Sequence, residues 1–399
     1  MRCNTIIQEI FLSSNDIRHI LSRNSSIYLN RSTSASSHYS IIAYNPFLSI
    51  SIHDHSITTT NRSGLSQTVT ENPLTFLDNL IHSFPSSSDG DEVPTGGLYG
   101  AFSYEFSRYM TDYDFISGSS FFPDFIGGLY DNIIVIDHQS NKQFHHFTPH
   151  FDPKHTCSEL LSKHHSITEF KLTPPQSTLT KSHYLETINT IQHYIKQGDV
   201  YQINYSTPFI SQFTGCPLHL YQELCRISPS PYSAYVHFND TYILSSSPEL
   251  FFKKQYNHIT TRPIKGTAAR SHINSQDLAH YHFLKQSQKD IAELTMITDL
   301  ERNDLSKICQ VGTVNVDRLR DIETYPQVFH GVSTISGTLL KDVSFIDIFT
   351  ALFPGGSITG APKIRAMELI NQLEHQPRGF YTGCIGYWDL HHNAEFNIA

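Results

Sequence analysis

An α+β chain, mixing strands and helices without a repeating unit, is the fold class that this sequence predicts, and three observations carry it. Short apolar runs separated by polar turns fill residues 1 to about 170, with many strand-like runs directly adjoining. Helical periodicity appears three times after about residue 180, and no fixed period of roughly 20 to 50 residues recurs. With 399 residues, 39% hydrophobic and 12% aromatic side chains, the chain is long and apolar enough for a large buried core, on the scale of two or three domains.

In the first region, 1–172, "SIIAYNPFLSISI", "GGLYGAFSYEF" and "FIGGLYDNIIVIDH" read as half-buried strands bounded by Ser, Asn, Asp and Gly clusters. "HSFPSSSDGDEVPTGG", 82–97, predicts a flexible loop. Tandem prolines in "KLTPPQSTLTKSHY", 171–184, stop regular structure and separate a second region, 180–399, whose first helix Thr180 can cap. Tyr184, Ile188, Ile191 and Ile195 then fall on one helix face, and Gly198 sits where a helix commonly ends. "VYQINYSTPF" predicts a strand, "LAHYHFLKQSQKDIAELTMITDLERNDL" a helix from about 278 to 300, and "GAPKIRAMELINQLE" a helix over 360–374 with Pro362 in its first turn.

Composition excludes several classes of function. Twenty-eight Lys and Arg stand against 37 Asp and Glu, a net charge of -9, and no basic stripe could neutralise a row of phosphates, so nucleic acid is not an expected partner. The opening "MRCNTIIQEIFLSSND" lacks an apolar core of about 7–15 residues with a small-residue cleavage site, and no run reaches ~18 apolar residues. The expectation is a cytoplasmic protein without a membrane segment. Cys3, Cys157, Cys216, Cys225, Cys309 and Cys384 show no CxxC spacing, which fits reduced thiols rather than zinc or disulfides. The 24 histidines occur singly or in loop-like pairs, with no fixed ligand set of acidic or thiol partners, and read as surface composition.

Five stretches could carry chemistry. "FPGGSITGAPK", 353–363, is a glycine-rich entry to a helix, able to present N–H groups to a carboxylate or phosphate; Ala361 and Pro362 stand where a P-loop needs Lys and Ser or Thr. In "QKDIAELTM", Asp290 and Glu293 share a helix face, either as a solvated acidic stripe or as oxygen donors to Mg²⁺; the apolar flank favours burial, where two carboxylates need a cation. Glu249 in "SSSPELFF" enters an apolar strand, a setting that raises a carboxyl pKa and suits a proton donor. His330 in "QVFHGVST" is placed similarly, as a hydrogen-bonded core histidine or a catalytic one. Lys265, between proline and glycine in "TTRPIKGTAAR", reads by itself as a surface lysine at a strand end; beside a cation and away from water its amine would become a nucleophile or base.

In order and spacing, "RPIKGT", "DLERNDL", "FHGVSTISGTL", "FPGGSITGAPKIRAMELI" and "GFYTGCIGYW" resemble the chorismate-utilising enzymes, and among them the large subunits of aminodeoxychorismate synthases. The resemblance extends upstream through "GGLYGAFSYEF", "PDFIGGLYDN" and "GDVYQINYSTPF", and so covers nearly the whole chain. It implies two orthogonally packed antiparallel β-sheets flanked by helices, chorismate as substrate and Mg²⁺ as cofactor. Carried over by position, Lys265, Glu249 and His330 are the candidate catalytic residues, Ser357, Tyr381, Gly356 and Gln202 the substrate-binding ones, and Glu293 and Asp290 a direct and an outer-shell metal ligand.

The resemblance also distinguishes between reactions. Anthranilate synthases carry alanine where this chain has Lys265, and isochorismate and salicylate synthases carry a water-activating lysine where it has Gln202. Lys265 is therefore expected to attack C2 of chorismate as the C4 hydroxyl leaves, with Glu249 as the acid, so that ammonia adds at C4. No "GxCxG" glutaminase turn is present, Thr382 replacing the first glycine in "TGCIG", so a separate glutamine amidotransferase subunit is implied. The family continues beyond "EFNIA" with an arginine-bearing strand, a glycine-rich turn and a helix with a second metal-binding glutamate. On that reading the chain is a fragment of an intact enzyme or a truncated product of little activity. Anthranilate synthase, or an inactive module that still binds the glutaminase, are the alternatives.

Overall fold

Alternation along single strands shows how the layers stack. The computed structural model describes residues 6–31, 38–84, 93–110, 121–147 and 169–399. In Tyr39–Ala43, Ile41 and Ala43 point to one hydrophobic cluster and Ile42 to another; in Asn132–Asp137, Ile133 and Val135 part from Ile134 in the same way. Successive side chains of a strand leave opposite faces, so a sheet that buries both sets has a layer on each side. These strands are therefore buried on both faces, not half-buried as expected.

The first sheet runs, in spatial order, Ile6–Ile10, Lys142–Phe147, Asn132–Asp137, Tyr39–Ala43, Ser26–Asn30, Ser233–Phe238 and Thr241–Ser245. The second runs Ile264–Ala269, Val328–Thr338, His258–Arg262, Leu250–Gln255, Ala394–Ile398, Cys384–Asp389, Gly97–Phe102, Phe125–Tyr130, Leu48–His53, Ser56–Asn61 and Ser66–Thr70, with Asn315–Thr324 paired to Val328–Thr338. All the pairings within these two sheets are antiparallel. Both sheets draw strands from before residue 172 and from after residue 180, so the two regions expected from the sequence share their sheets.

The α-helices among the described residues are α1 (Ser14–Leu21), α2 (Pro73–His82), α3 (Lys181–Gln197), α4 (Pro217–Ile227), α5 (Asn274–Gln286), α6 (Gln288–Ser306), α7 (Phe345–Leu352), α8 (Gly356–Thr359) and α9 (Lys363–Leu373). Ile20, Leu21, Leu218 and Tyr221 from α1 and α4 cover the outer face of the first sheet. Leu77 and Ile81 of α2, Leu305 of α6, and Phe345 and Phe349 of α7 cover the outer face of the second, against Phe102, Phe252 and Phe396. Between the sheets lie Ile27, Val135 and Val236 from one and Tyr99, Ile126 and Tyr387 from the other. This is the α+β class expected, with helices outside two packed antiparallel sheets.

Local signals hold at α3: the Thr180 hydroxyl accepts from the His183 N–H, and Gly198 ends the helix in the left-handed region at φ 83°. Three expectations fail locally. The single helix of about 278–300 is two, because Ser287 adopts extended φ/ψ and caps α6 through the Asp290 N–H. "VYQINYSTPF" is not one strand; Gln202–Ile203 pairs only with Gly360–Ala361, and Phe209–Ile210 with Gln176–Ser177. Pro362 precedes α9 as its N-cap instead of entering its first turn. Of the expected loop 82–97, residues 85–92 lie outside the described residues, as do Cys3 and Cys157; Cys216, Cys225, Cys309 and Cys384 are free thiols.

Candidate active site

Backbone irregularities place the two strongest sequence candidates. The ladder between Ile264–Ala269 and Val328–Thr338 shifts register between Ile264 and Thr267, so Lys265 and Gly266 occupy a bulge inside the strand and not its end. Gly266 has φ 86°, and a Cβ there would lie 3.0 Å from both the Asp290 Cβ and the Leu284 Cδ1, so the bulge requires glycine. Leu250–Gln255 also shifts register, after Leu250, immediately beyond Glu249. Bulges re-aim side chains that a regular ladder would send to one face or the other.

Lys265 points inward. Its Nζ donates to the Asn204 Oδ1 at 3.0 Å and stands 3.8 Å from the Glu293 carboxylate, with 12% of the side chain exposed. Burial lowers its pKa, while the charges of Glu293 and Glu249 act in the opposite direction. Glu249 is half-buried, accepts the Ile264 N–H at 3.3 Å and bonds the Ser357 side chain. Burial pushes its pKa up to about 7, against the opposing effects of Ser357, the Ile264 N–H and Lys265. An amine with a lowered pKa beside a carboxyl that holds a proton near neutrality can combine nucleophilic attack with proton donation to a leaving group.

The glycine-rich stretch folds over this pair. Gly356 begins the four-residue α8, with its N–H on the Glu301 Oε1 at 2.9 Å. Ser357 is 5% exposed, and its carbonyl accepts from the Asn204 Nδ2 at 3.0 Å. Gly360 has φ 146°, and a side chain there would collide with the Gln202 carbonyl, so this glycine lets the 202–203 segment close against the loop. Gln202 donates to the Glu293 Oε1 at 2.7 Å, and its own Oε1 is buried without a hydrogen-bond partner. A buried amide oxygen left so is suited to accept from a bound molecule.

Lys265, Glu249, Gln202, Glu293, Gly356 and Ser357 therefore converge. Tyr381, 59% exposed, joins them from the side, sharing with Glu249 the wall of a cleft of about 530 Å³ that Ser247, Ile358 and Thr382 also line. Asp290 lies in the first turn of α6, its N–H donating to the Ser287 hydroxyl at 3.3 Å and its Cβ facing Gly266. His330 lies one strand over, its Nδ1 3.0 Å from the Thr267 hydroxyl and its ring against Tyr325; burial lowers its pKa.

Two residues at the site escaped sequence reasoning. Asn204 lies two positions past Gln202 in "QIN", and its contacts with Lys265 and Ser357 span 61 and 153 residues. Glu301 in "DLERNDL" sits on the face of α6 that packs under the loop; it is 3% exposed, and burial pushes its pKa up to about 7 despite the nearby Lys363 charge. The spacing of Glu301 four residues from both Ile297 and Leu305, on the apolar face of the helix, was the available signal.

The donor set suits a hard, hydrated cation. Glu293 offers a partly exposed carboxylate next to the orphaned Gln202 oxygen, and no group of three or more His, Cys, Asp or Glu gathers around one point among the described residues. Mg²⁺ characteristically keeps several waters and takes one or two protein carboxylates plus substrate oxygens, and Glu293, with Asp290 one helical turn earlier, offers carboxylates of that kind.

A family profile described as "chorismate binding enzyme" matches residues 26–399. Aminodeoxychorismate synthase component 1 of Bacillus subtilis is 36% identical over 318 residues, covering 76% of this chain and 68% of the relative. Anthranilate synthase component 1 of Saccharolobus solfataricus is 34% identical over 362 residues, covering 90% and 80%. Among solved structures, anthranilate synthase component I from Streptococcus pneumoniae superposes with a TM-score of 0.74 at 27% identity, covering 92% of this chain and 84% of that one.

Proposed function

This chain belongs to the chorismate-binding enzymes, and we propose that within that family it is the large subunit of an aminodeoxychorismate synthase, converting chorismate and ammonia to 4-amino-4-deoxychorismate. The observation that carries the reading is Lys265, inward-facing on a bulge between Asn204, Glu293 and Glu249.

The Lys265 amine forms a bond to C2 of chorismate, the ring double bonds shift, and the C4–oxygen bond breaks. Glu249 supplies the proton with which the hydroxyl departs as water. Ammonia then bonds to C4, the double bonds shift back and the C2–Nζ bond breaks, so the lysine is regenerated. Ser357 holds Glu249, and Asn204 holds Lys265. Glu293 would bind Mg²⁺ directly and Asp290 through water; the ion would neutralise a substrate carboxylate and draw electrons from the ring. Tyr381, Gly356 and Gln202 would contact substrate, and His330 would support the Lys265 strand from its position beside Thr267.

Ammonia would come from a separate glutamine amidotransferase. Cys384, in the "TGCIG" stretch that most resembles a glutaminase turn, is fully buried in the sheet and burial pushes its thiol well up, the opposite of an activated nucleophile. Among the described residues no helix is long and apolar enough to cross a membrane.

Anthranilate formation has a relative of comparable identity in its favour, and Lys265 weighs against it. Incubation with chorismate, Mg²⁺, an ammonium salt and aminodeoxychorismate lyase distinguishes the two: p-aminobenzoate is the expected product, and anthranilate or no aromatic amine would overturn the reading.

A further inference from the structure

Arg378 lies outside the converging group, yet every one of its side-chain N–H groups is used. Nε and Nη2 form a fork on the Glu374 carboxylate at 2.8 and 2.7 Å. Nη2 also reaches the Asn204 carbonyl at 2.6 Å, and Nη1 the Ile358 carbonyl at 3.0 Å and the Thr382 hydroxyl at 3.2 Å. The side chain is 3% exposed, and its guanidinium lies 4.7 Å from the centre of the Tyr104 ring. Its backbone is fixed as well: the Glu105 carboxylate, 5% exposed, accepts the N–H groups of Arg378 at 2.8 Å and Gly379 at 3.0 Å.

The three partners belong to three walls. Asn204 carries the side-chain oxygen that holds the Lys265 ammonium, Ile358 follows the Ser357 that holds Glu249, and Thr382 follows Tyr381. Glu374 adds a further tie by accepting the Ser206 N–H at 2.7 Å. A planar guanidinium offers five donors in a fixed fork, enough for both carboxylate oxygens, two backbone carbonyls and a hydroxyl, whereas a lysine ammonium has three donors on one nitrogen.

We propose that Arg378, braced by Glu374 and Glu105, is a positioning residue that locks the segments 202–206, 356–359 and 378–382 together and so sets the spacing between Lys265 and Glu249. The inference rests on the reaction proposed above for its catalytic consequence, but the clamp itself can be measured without turnover.

The test is Arg378→Lys in the otherwise intact protein, with Glu374→Gln as a milder second variant that retains one acceptor. Two readouts are taken: amide hydrogen exchange of the free protein, and kcat and KM for chorismate consumption. A faster exchange confined to all three segments together is expected, with kcat reduced about 100-fold for Arg378→Lys and KM little changed, since small displacements of reacting groups cost rates of that order. Glu374→Gln should show the same pattern to a smaller degree. Faster exchange in 378–382 alone, a uniform rise across both sheets, or unchanged kcat in a folded Arg378→Lys would each overturn the proposal. If the parent consumes no chorismate, the reaction proposed above fails, and the exchange pattern still decides the clamp.

Discussion

Lys265 and Asn204, 61 residues apart in sequence, are joined by a 3.0 Å hydrogen bond from the lysine Nζ to the amide oxygen. Asn204 is in turn tied to the loop through the Ser357 carbonyl at 3.0 Å, so the lysine is held by a residue that also senses the position of the Glu249 partner. Removing that bond should cost catalysis more than folding. Asn204→Ala is expected to lower kcat by roughly ten- to a hundred-fold, since a small misplacement of a reacting group costs rates of that order. The thermal midpoint should change little, and steady-state kinetics beside a melting curve check both.

Glu249 acts as an acid only while protonated. Its pKa stands at about 7 because burial disfavours the carboxylate, so the rate should decline as pH rises through that value. Glu249→Gln removes the proton and the alkaline limb together, with kcat reduced about 10²- to 10⁴-fold. A pH–rate profile of the variant that kept the parent's alkaline limb would assign that limb to another group.

Glu301 makes a prediction about stability. Unfolded glutamate titrates near about 4.3, whereas in the folded chain Glu301 holds its proton up to about 7. Between those values the native state binds the extra proton, so the unfolded state binds fewer and stability falls as pH rises. Glu301→Gln keeps an acceptor for the Gly356 N–H and removes this titration. Its thermal midpoint relative to the parent should rise from about pH 5 to about pH 8. The parent's dependence will not vanish entirely in the variant, because Glu249 and Asp389 are also raised to about 7.

The bulge at Lys265 depends on Gly266. Alanine would combine a φ of 86° with close contact to Asp290 and Leu284, so Gly266→Ala should destabilise the protein by about 1–3 kcal/mol in urea titration and depress activity beyond that loss.

The same residues show what could be read from sequence. Thr180 and Gly198 act over a few positions, and the structure repeats them; "SIIAYN" forms the strand its composition suggests, but buried on both faces because helices and the second sheet cover it. The family resemblance, carried over by position, singled out Lys265, Glu249, Gln202, Glu293 and Ser357, which the fold brings together. Ser287 carried a readable signal, the S-x-x-D pattern ending in Asp290, but the helical periodicity around it masked the break. Asn204, Glu301 and Arg378 were not legible because their roles come from partners tens to hundreds of residues away, across sheets whose strand order no local pattern specifies. "VYQINYSTPF" has strand composition, yet only Gln202–Ile203 finds a ladder beside Gly360–Ala361, a pairing that Gly360 permits.

The proposed reaction turns on a covalent bond between Lys265 and the substrate. The protein is mixed with chorismate and Mg²⁺ without ammonia, quenched in acid within the first turnovers, digested, and its peptides weighed. The peptide containing Lys265 is predicted to gain the mass of chorismate less one water, and the Lys265→Ala protein to gain nothing. An unmodified Lys265 peptide from enzyme that does make p-aminobenzoate once ammonia is added would contradict it.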